Sequence, residues 1–345
     1  MKPQSTPRAG ILAGGNWIVD HVKILDGWPP QDALANILSE SWGNGGSPYN
    51  ILKNLAKLGA PFPLEAVGLV GDDIDGQRVL EDCHQHRIAT HQLRRTADAA
   101  TSYSDVMTDS TTGRRTFFHQ RGANALLAPE HFDFDTSQAK IFHLGYLLLL
   151  DQLDQIEDGE PRACDVFRRA KAAGFLTSLD CVSENSNRCE TIVKPVLPDV
   201  DVLFVNDFEA EKMTGIHLRP DADGAIRRAP VEAAARALLE LGVRQWVVVH
   251  FPEAAYAVGP EAEGCWQPSL KVCESTIKGA AGAGDAFAAG VLHELHEERP
   301  ITDALRLGVC AAASSLTDAT CSDGVLTAVD CLQLHQSLGW RALPA

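Results

Sequence analysis

Lys278-Gly-Ala-Ala-Gly-Ala-Gly-Asp-Ala-Phe-Ala-Ala-Gly-Val-Leu292 runs from small residues into one carboxylate and then into an apolar pattern of helical period. Gly282, Ala283 and Gly284 carry little or no side chain, so their backbone N–H groups can approach a ligand closely at the start of a helix. That makes a cradle for an anion. Asp285, in the first turn of that helix, is placed to accept a proton from a nucleophile held against the bound anion. An Asp after a glycine turn is more commonly a helix cap, and the stretch taken alone supports both readings.

The rest of the chain decides between them. Its 345 residues suit about two domains or one large α/β domain. The net charge of −16 leaves no overall basic footprint, so neither nucleic acid nor an anionic membrane is expected as a partner. A polyanionic substrate would need a local positive site. Nine cysteines stand singly with no Cys-x-x-Cys pair, which points to reduced thiols and a cytoplasmic location. The stretch MKPQSTPRAGILAGG has a basic start but too short an apolar run for a signal peptide, and Leu144 to Leu150 is far shorter than a membrane span. No internal repeat or low-complexity tract is present, which favours one continuous fold over residues 1–345.

Ala9 to Ala13 reads as a buried strand stopping at Gly14-Gly15, followed by Asn16 and by an alternating strand, Ile18 to Ile24, that contains Asp20. Asp20 is a solvated strand residue or a carboxylate that grips ligand hydroxyls. Ser41-Trp-Gly-Asn-Gly-Gly-Ser-Pro-Tyr-Asn50 leads into a second helix, with Ser47 expected as its N-cap and Pro48 at its first position. Gly45 and Gly46 then form a turn or a second close approach to a ligand, and Asn50 faces water or that ligand. Strand Leu64 to Val70 and helix Ile74 to His86 continue a β-α-β rhythm.

Between His91 and His119 the pattern shortens. Ser102 to Met107, the Thr111-Thr112-Gly113 turn and Arg115 to His119 read as a hairpin. With Trp17 to Ile24 and Ile37 to Trp42 it makes a small sheet, a lid drawn from about residues 15–43 and 97–121. Strands at Ile141 to Leu144, Leu176 to Asp180, Val202 to Asn206 and Gln245 to His250 alternate with helices at Arg162 to Ala173, Phe208 to Thr214 and Val231 to Leu241. That alternation implies a mostly parallel sheet covered on both faces, with ligands at the carboxyl ends of its strands. Asn206 and Glu209 fall on that edge, three apart, where they either orient a hydrated Mg²⁺ or form a capping box. His293, Glu294 and His296 lack metalloprotease spacing and read as a solvated helix tail.

Gly282-Ala-Gly-Asp285 resembles the G-A-G-D signature of the ribokinase-like, or PfkB, carbohydrate kinases, and four further features follow the family order. These are Asp20 after the first strand, Gly45-Gly46 with Asn50, Gly122-Ala123-Asn124, and Asn206-x-x-Glu209. The resemblance spans roughly residues 9 to 330. It implies a three-layer α/β/α sandwich with a small β-sheet lid, and ATP-dependent phosphorylation of a hydroxyl on a sugar, sugar phosphate or nucleoside. Asp285 is then the general base and Gly282, Ala283 and Gly284 the anion hole. Asn16, Asp20, Gly45, Gly46, Asn50 and Asn124 bind the acceptor, His250 lies on the ATP side, and Asn206 and Glu209 act on Mg²⁺ through water. A homodimer through the lid strands also fits the resemblance.

Two departures qualify it. Gly279 and Ala280 stand where the family usually has Asp-Thr, whose Asp ligates a monovalent cation in several members; this counts against potassium activation. Some sugar-phosphate kinases of the family also lack that Asp. His250-Phe251-Pro252 replaces a small Thr-x-Gly turn, and Pro252 removes a backbone donor near the nucleotide. The rival these departures motivate is a sugar- or nucleotide-binding sensor with little or no activity, although a pure binder has no need of Asp285. A dinucleotide oxidoreductase is disfavoured, since Phe287 stands where the third glycine of its fingerprint belongs.

Overall fold

The computed structural model describes residues 7–221 and 224–345, so the basic first six residues lie outside the description. Numbered along the chain, the first eight strands are β1 (Ile11–Gly15), β2 (Ile18–Leu25), β3 (Ile37–Gly45), β4 (Leu64–Gly71), β5 (Ile88–Thr96), β6 (Ser102–Asp109), β7 (Arg115–Gln120) and β8 (Ile141–Leu147). A two-residue pair, β9 (Ile156–Glu157) and β10 (Glu160–Pro161), precedes β11 (Leu176–Cys181), β12 (Val202–Asn206), β13 (Trp246–Phe251), β14 (Ala254–Val258) and β15 (Cys265–Pro268).

Side-chain alternation along the strands builds the layers. Ile11 and Ala13 of β1 face one apolar core and Leu12 the other; Val202 and Phe204 of β12 are likewise separated from Leu203 and Val205. A sheet buried on both faces needs helices on both. Helices Ala163–Ala172, Asp207–Thr214 and Arg228–Glu240 cover one face through Phe167, Met213 and Leu238. Helices Ser47–Leu58, Ile74–Gln85, Ala283–His296 and Ile301–Ser315 cover the other through Leu52, Val79, Phe287 and Leu305. Truncating a buried Phe such as Phe142 or Phe167 to Ala would cost about 3–5 kcal/mol.

The large sheet runs β15-β14-β13-β12-β11-β8-β1-β4-β5, with every strand parallel except β14, which pairs antiparallel with both β13 and β15. After β1 the chain goes to β4 and β5 on one side and to β8 and β11 on the other. The order therefore reverses beside β1, where ligand crevices form in such sheets. The second sheet, β3-β2-β6-β7, is the one expected from the short alternating runs, and it begins where β1 ends.

Two local expectations are corrected. Ser47 is the first residue of its helix and Gly46 (φ 83°) is the cap, which leaves the Ser47 hydroxyl free for other partners. His293 and His296 are buried, not solvated: His296 stacks on Phe62 with ring centroids 3.6 Å apart, and its Nε2 accepts from the Gly10 amide at 2.7 Å.

Candidate active site

A cavity of about 520 Å³ lies between the carboxyl ends of β8, β11, β12 and β13, the start of the Ala283–His296 helix and one face of the small sheet. The sequence brings Asp285 there by a glycine. Gly282 has φ 75°, a conformation that costs other residues strain, and a Cβ on it would lie 2.6 Å from Cys321 Cβ. The helix that follows points its first turn into the cavity. The Ala283 amide donates to Ala280 O at 3.3 Å, whereas among the described residues the amides of Gly284 and Asp285 have no backbone acceptor. Free amides at a helix N-terminus attract an anion.

Asp285 is 2 % exposed and asymmetrically held. Its Oδ2 accepts from Asn50 Nδ2 at 2.7 Å and from the Tyr146 hydroxyl at 2.8 Å, while the buried Oδ1 has no partner. Asn50 is itself oriented: Asn44 Nδ2 donates to Asn50 Oδ1 at 2.6 Å and to Ser322 Oγ at 2.8 Å. Burial pushes Asp285 up to about 6, against the downward pull of Asn50, Tyr146 and Ser47.

Three more carboxylates share the cavity. Burial pushes Asp20 up to about 7, opposed by Cys321, Ser104 and Arg115. Burial, reinforced by the Glu209 and Asp285 charges, drives Asp180 well above the ordinary range. Burial also raises Glu209 to about 7, against hydrogen bonds from Ser183 and Asn206. Among the described residues lining the cavity there is no Lys or Arg, and burial keeps His250 neutral by lowering it to about 4. Arg115 acts on Asp20 from beyond the cavity edge, whereas Asp180, Glu209 and Asp285 have no cationic side chain lining the cavity beside them, an expensive arrangement.

Asn206 and Glu209 form the capping box. The Asn206 side chain accepts from the Glu209 amide at 2.9 Å, and Glu209 Oε2 accepts from the Asn206 amide at 3.0 Å. Both also line the cavity, and Ser183 Oγ donates to Glu209 Oε1 at 2.7 Å. Beyond Gly284 a second cavity of about 460 Å³ opens, walled by Leu270, Val272, Phe287, Val309, Leu316 and Pro252. The two share Asn206, His250, Ala280 and Gly284.

Asp20, Gly45, Gly46, Asn50, Asn206, Glu209, His250, Gly282, Gly284 and Asp285 all reach the first cavity, and Ala283 lines the second. Asn16 and Asn124 do not line either. Asn124 is fully buried and clasps the backbone of Trp17, accepting from its N and donating to its O, each at 3.1 Å. Asn16 Nδ2 donates to Tyr146 O at 3.0 Å, a step behind the residue that holds Asp285.

Residues 17–328 match the description pfkB family carbohydrate kinase. The chain belongs to the pfkB family of carbohydrate kinases. Within that family this kinase is 24% identical to the probable fructokinase-6 of Arabidopsis thaliana chloroplasts over 293 residues, which is 83% of this chain and 70% of that one. It is 25% identical to an ATP-dependent ribose-1-phosphate kinase of Halopiger xanaduensis over 283 residues, 82% of this chain and 83% of that one. Its fold superposes on Arabidopsis thaliana ribokinase complexed with ribose and ATP with a TM-score of 0.74 at 18% identity, over 95% of this chain and 98% of the other.

Two residues of this pfkB kinase's site, Tyr146 and Asp180, carry no signal in the sequence. Tyr146 sits inside the apolar run Ile141 to Leu150 and reads as core, yet its hydroxyl holds Asp285. Asp180 ends β11 with no motif around it. His119 Nδ1 lies 3.1 Å from Ser104 Oγ, and its buried Nε2 has no partner. Among the aromatic residues of the lid segments, Phe117 lines the cavity, whereas Trp17 is fully buried with its Nε1 donating to Val67 O at 3.0 Å.

Proposed function

We propose that this sugar kinase transfers the γ-phosphoryl group of Mg-ATP to a hydroxyl of an uncharged sugar, with Asp285 as the general base. The observation that carries this reading is the half-satisfied carboxylate. Leaving a buried acceptor unpaired costs about 1–3 kcal/mol, and an acceptor hydroxyl would satisfy Oδ1 while Asn50 and Tyr146 fix the other oxygen. Asp285 then takes the hydroxyl proton as the hydroxyl oxygen bonds to the γ-phosphorus and the bond from that phosphorus to its bridging oxygen breaks, releasing ADP. A base near 6 is ionised at neutral pH yet holds a proton better than an ordinary Asp, which is what proton transfer asks for.

The free Gly284 and Asp285 amides support charge on the transferring group. Mg-ATP supplies the phosphoryl group together with a divalent counter-charge. The acidic wall fits such a charge: Asp180 and Glu209 are buried with no cationic side chain lining the cavity, and Asn206 and Glu209 would orient metal-bound water. The apolar second cavity suits a flat nucleobase on the far side of Gly284. Asp20 and His119 Nε2 would meet acceptor hydroxyls, and the small sheet over them would act as the lid that excludes water.

The lack of Lys and Arg in the cavity lining argues that the acceptor carries no phosphate of its own, because a sugar phosphate would meet Asp180 and Asp285 without a cation beside them. The test is ADP release from Mg-ATP against a panel of neutral aldoses and ketoses, their phosphates, and nucleosides. Turnover with a neutral sugar is expected. Turnover confined to a phosphorylated acceptor would overturn the uncharged class, and Mg-ATP binding without turnover on any acceptor would favour the sensor.

A further inference from the structure

Strand β7 carries Arg115, Phe117 and His119 at period two, so all three share one face of the small sheet. Phe117 and His119 line the acidic cavity, and Arg115 reaches past its edge. Its Nη2 donates to Lys278 O at 3.2 Å and to Ala319 O at 3.3 Å. Those carbonyls belong to the loop that leads into Gly282 and to the loop that packs against it. Lys278 opens the run to Gly282, and its amide donates to Leu316 O at 2.9 Å; Ala319 stands two residues before Cys321, on which Gly282 packs. A Cβ on Gly279 would lie 2.5 Å from Arg115 Nη2, so a side chain there would displace the guanidinium.

This arrangement does not fit a bound monovalent cation. Position 279 offers no carboxylate, and the Lys278 and Ala319 carbonyl oxygens already accept from the Arg115 guanidinium, whose positive charge would repel a second cation. The charge also reaches the acceptor side, where Arg115 opposes the upward push of burial on Asp20. We propose that Arg115 is a positioning residue that serves as a built-in cation between the Lys278 and Ala319 carbonyls, so that the small sheet itself orders the anion-hole loop and no monovalent cation is required. The proposal rests on reading Gly282 to Asp285 as the hole that receives the γ-phosphate.

The test titrates Mg-ATP and Mg-ADP into the full-length protein by calorimetry, in potassium chloride and in choline chloride at equal ionic strength. Wild type is expected to bind Mg-ATP equally in both salts. Arg115→Ala should lose about tenfold in Mg-ATP affinity, the worth of one charge-assisted hydrogen bond, with Mg-ADP affinity unchanged. Millimolar guanidinium chloride should restore that loss and urea should not. Arg115→Lys, which keeps the charge, covers the case in which the alanine variant fails to fold, and is expected to retain part of the Mg-ATP preference. Potassium-stimulated binding in wild type, equal losses for Mg-ATP and Mg-ADP, an Arg115→Ala protein that binds as wild type does in the absence of guanidinium, an Arg115→Lys protein that retains none of the Mg-ATP preference, or a loss that guanidinium leaves untouched would overturn the proposal. Wild type that binds no Mg-ATP in either salt would instead remove the kinase reading on which it rests.

Discussion

At Gly284 an acidic cavity and an apolar one share a wall, and each is held together on different terms. The first gathers Asp20, Asp180, Glu209 and Asp285, and it borders buried polar atoms without partners at His119 Nε2 and Asp285 Oδ1. The second is walled mainly by apolar side chains, Leu270, Val272, Phe287 and Val309 among them, and among the described residues none of its lining atoms is a buried polar group left unpaired. The apolar cavity resembles ordinary core with a place removed; it can hold a flat ring and needs nothing else. The acidic cavity stores unfavourable interactions that a folded chain gains nothing from by itself. In the proposed reaction, binding and chemistry therefore fall to different neighbours, and damaging each separately tests that division.

The largest effect should come from the acidic side. Asp285→Asn keeps the shape and removes the proton acceptor, so kcat should fall by about 10²–10⁴ while Mg-ATP affinity stays within about twofold. A steady-state assay with the acceptor found in the panel, beside calorimetry with Mg-ATP, checks both halves. A kcat like that of wild type would end the assignment of the base. On the apolar side, Ala313 lies in the Ile301–Ser315 helix and lines the second cavity, so Ala313→Trp would fill it. The KM for ATP should rise about tenfold with the acceptor KM and the saturating kcat unmoved, provided circular dichroism shows the variant folded. An equal rise in the acceptor KM would show that the two cavities do not act separately.

What was legible in the sequence follows the same division. The glycine run ending at Asp285, the Gly45-Gly46 turn and the Asn206-x-x-Glu209 spacing are local patterns, and local patterns survive in one dimension. The layered sheet was legible because the alternation of strands and helices is local as well. Tyr146 and Asp180 were not, because they become site residues only when β8 and β11 come to lie side by side and bring their carboxyl ends to the start of a helix more than 100 residues later. Arg115 was hidden for a similar reason: its partners, Lys278 and Ala319, are 163 and 204 residues away. The capping box at Asn206 and Glu209 shows a different limit, since the structural and functional readings describe the same two side chains.

The smallest effect is the most direct measure of what the acidic cavity costs. Asp180 is raised in the fold, so its protonated form is favoured there. A carboxyl of this kind contributes stability that is fully present below its unfolded value near 4 and is lost as pH rises through its folded value. His143 and His250, which burial lowers to about 3 and about 4, work the other way in the same window, because their contribution is lost as pH falls. The wild-type curve therefore mixes two opposite slopes. Subtracting it from that of Asp180→Asn cancels the histidines and leaves Asp180 together with its repulsion from Glu209 and Asp285, since the amide can keep the hydrogen bond from Ser47 Oγ at 3.3 Å. Calorimetry at pH 5 and pH 8 should show the variant gaining about 2–4 °C in Tm at pH 8 and less at pH 5. Adding Mg-ATP should shrink the gain at pH 8, because a divalent charge would then offset the carboxylate in wild type. A variant that is less stable than wild type at pH 8, with or without Mg-ATP, would mean that Asp180 already has a compensating charge within the protein, and the contrast between the two cavities would lose its basis.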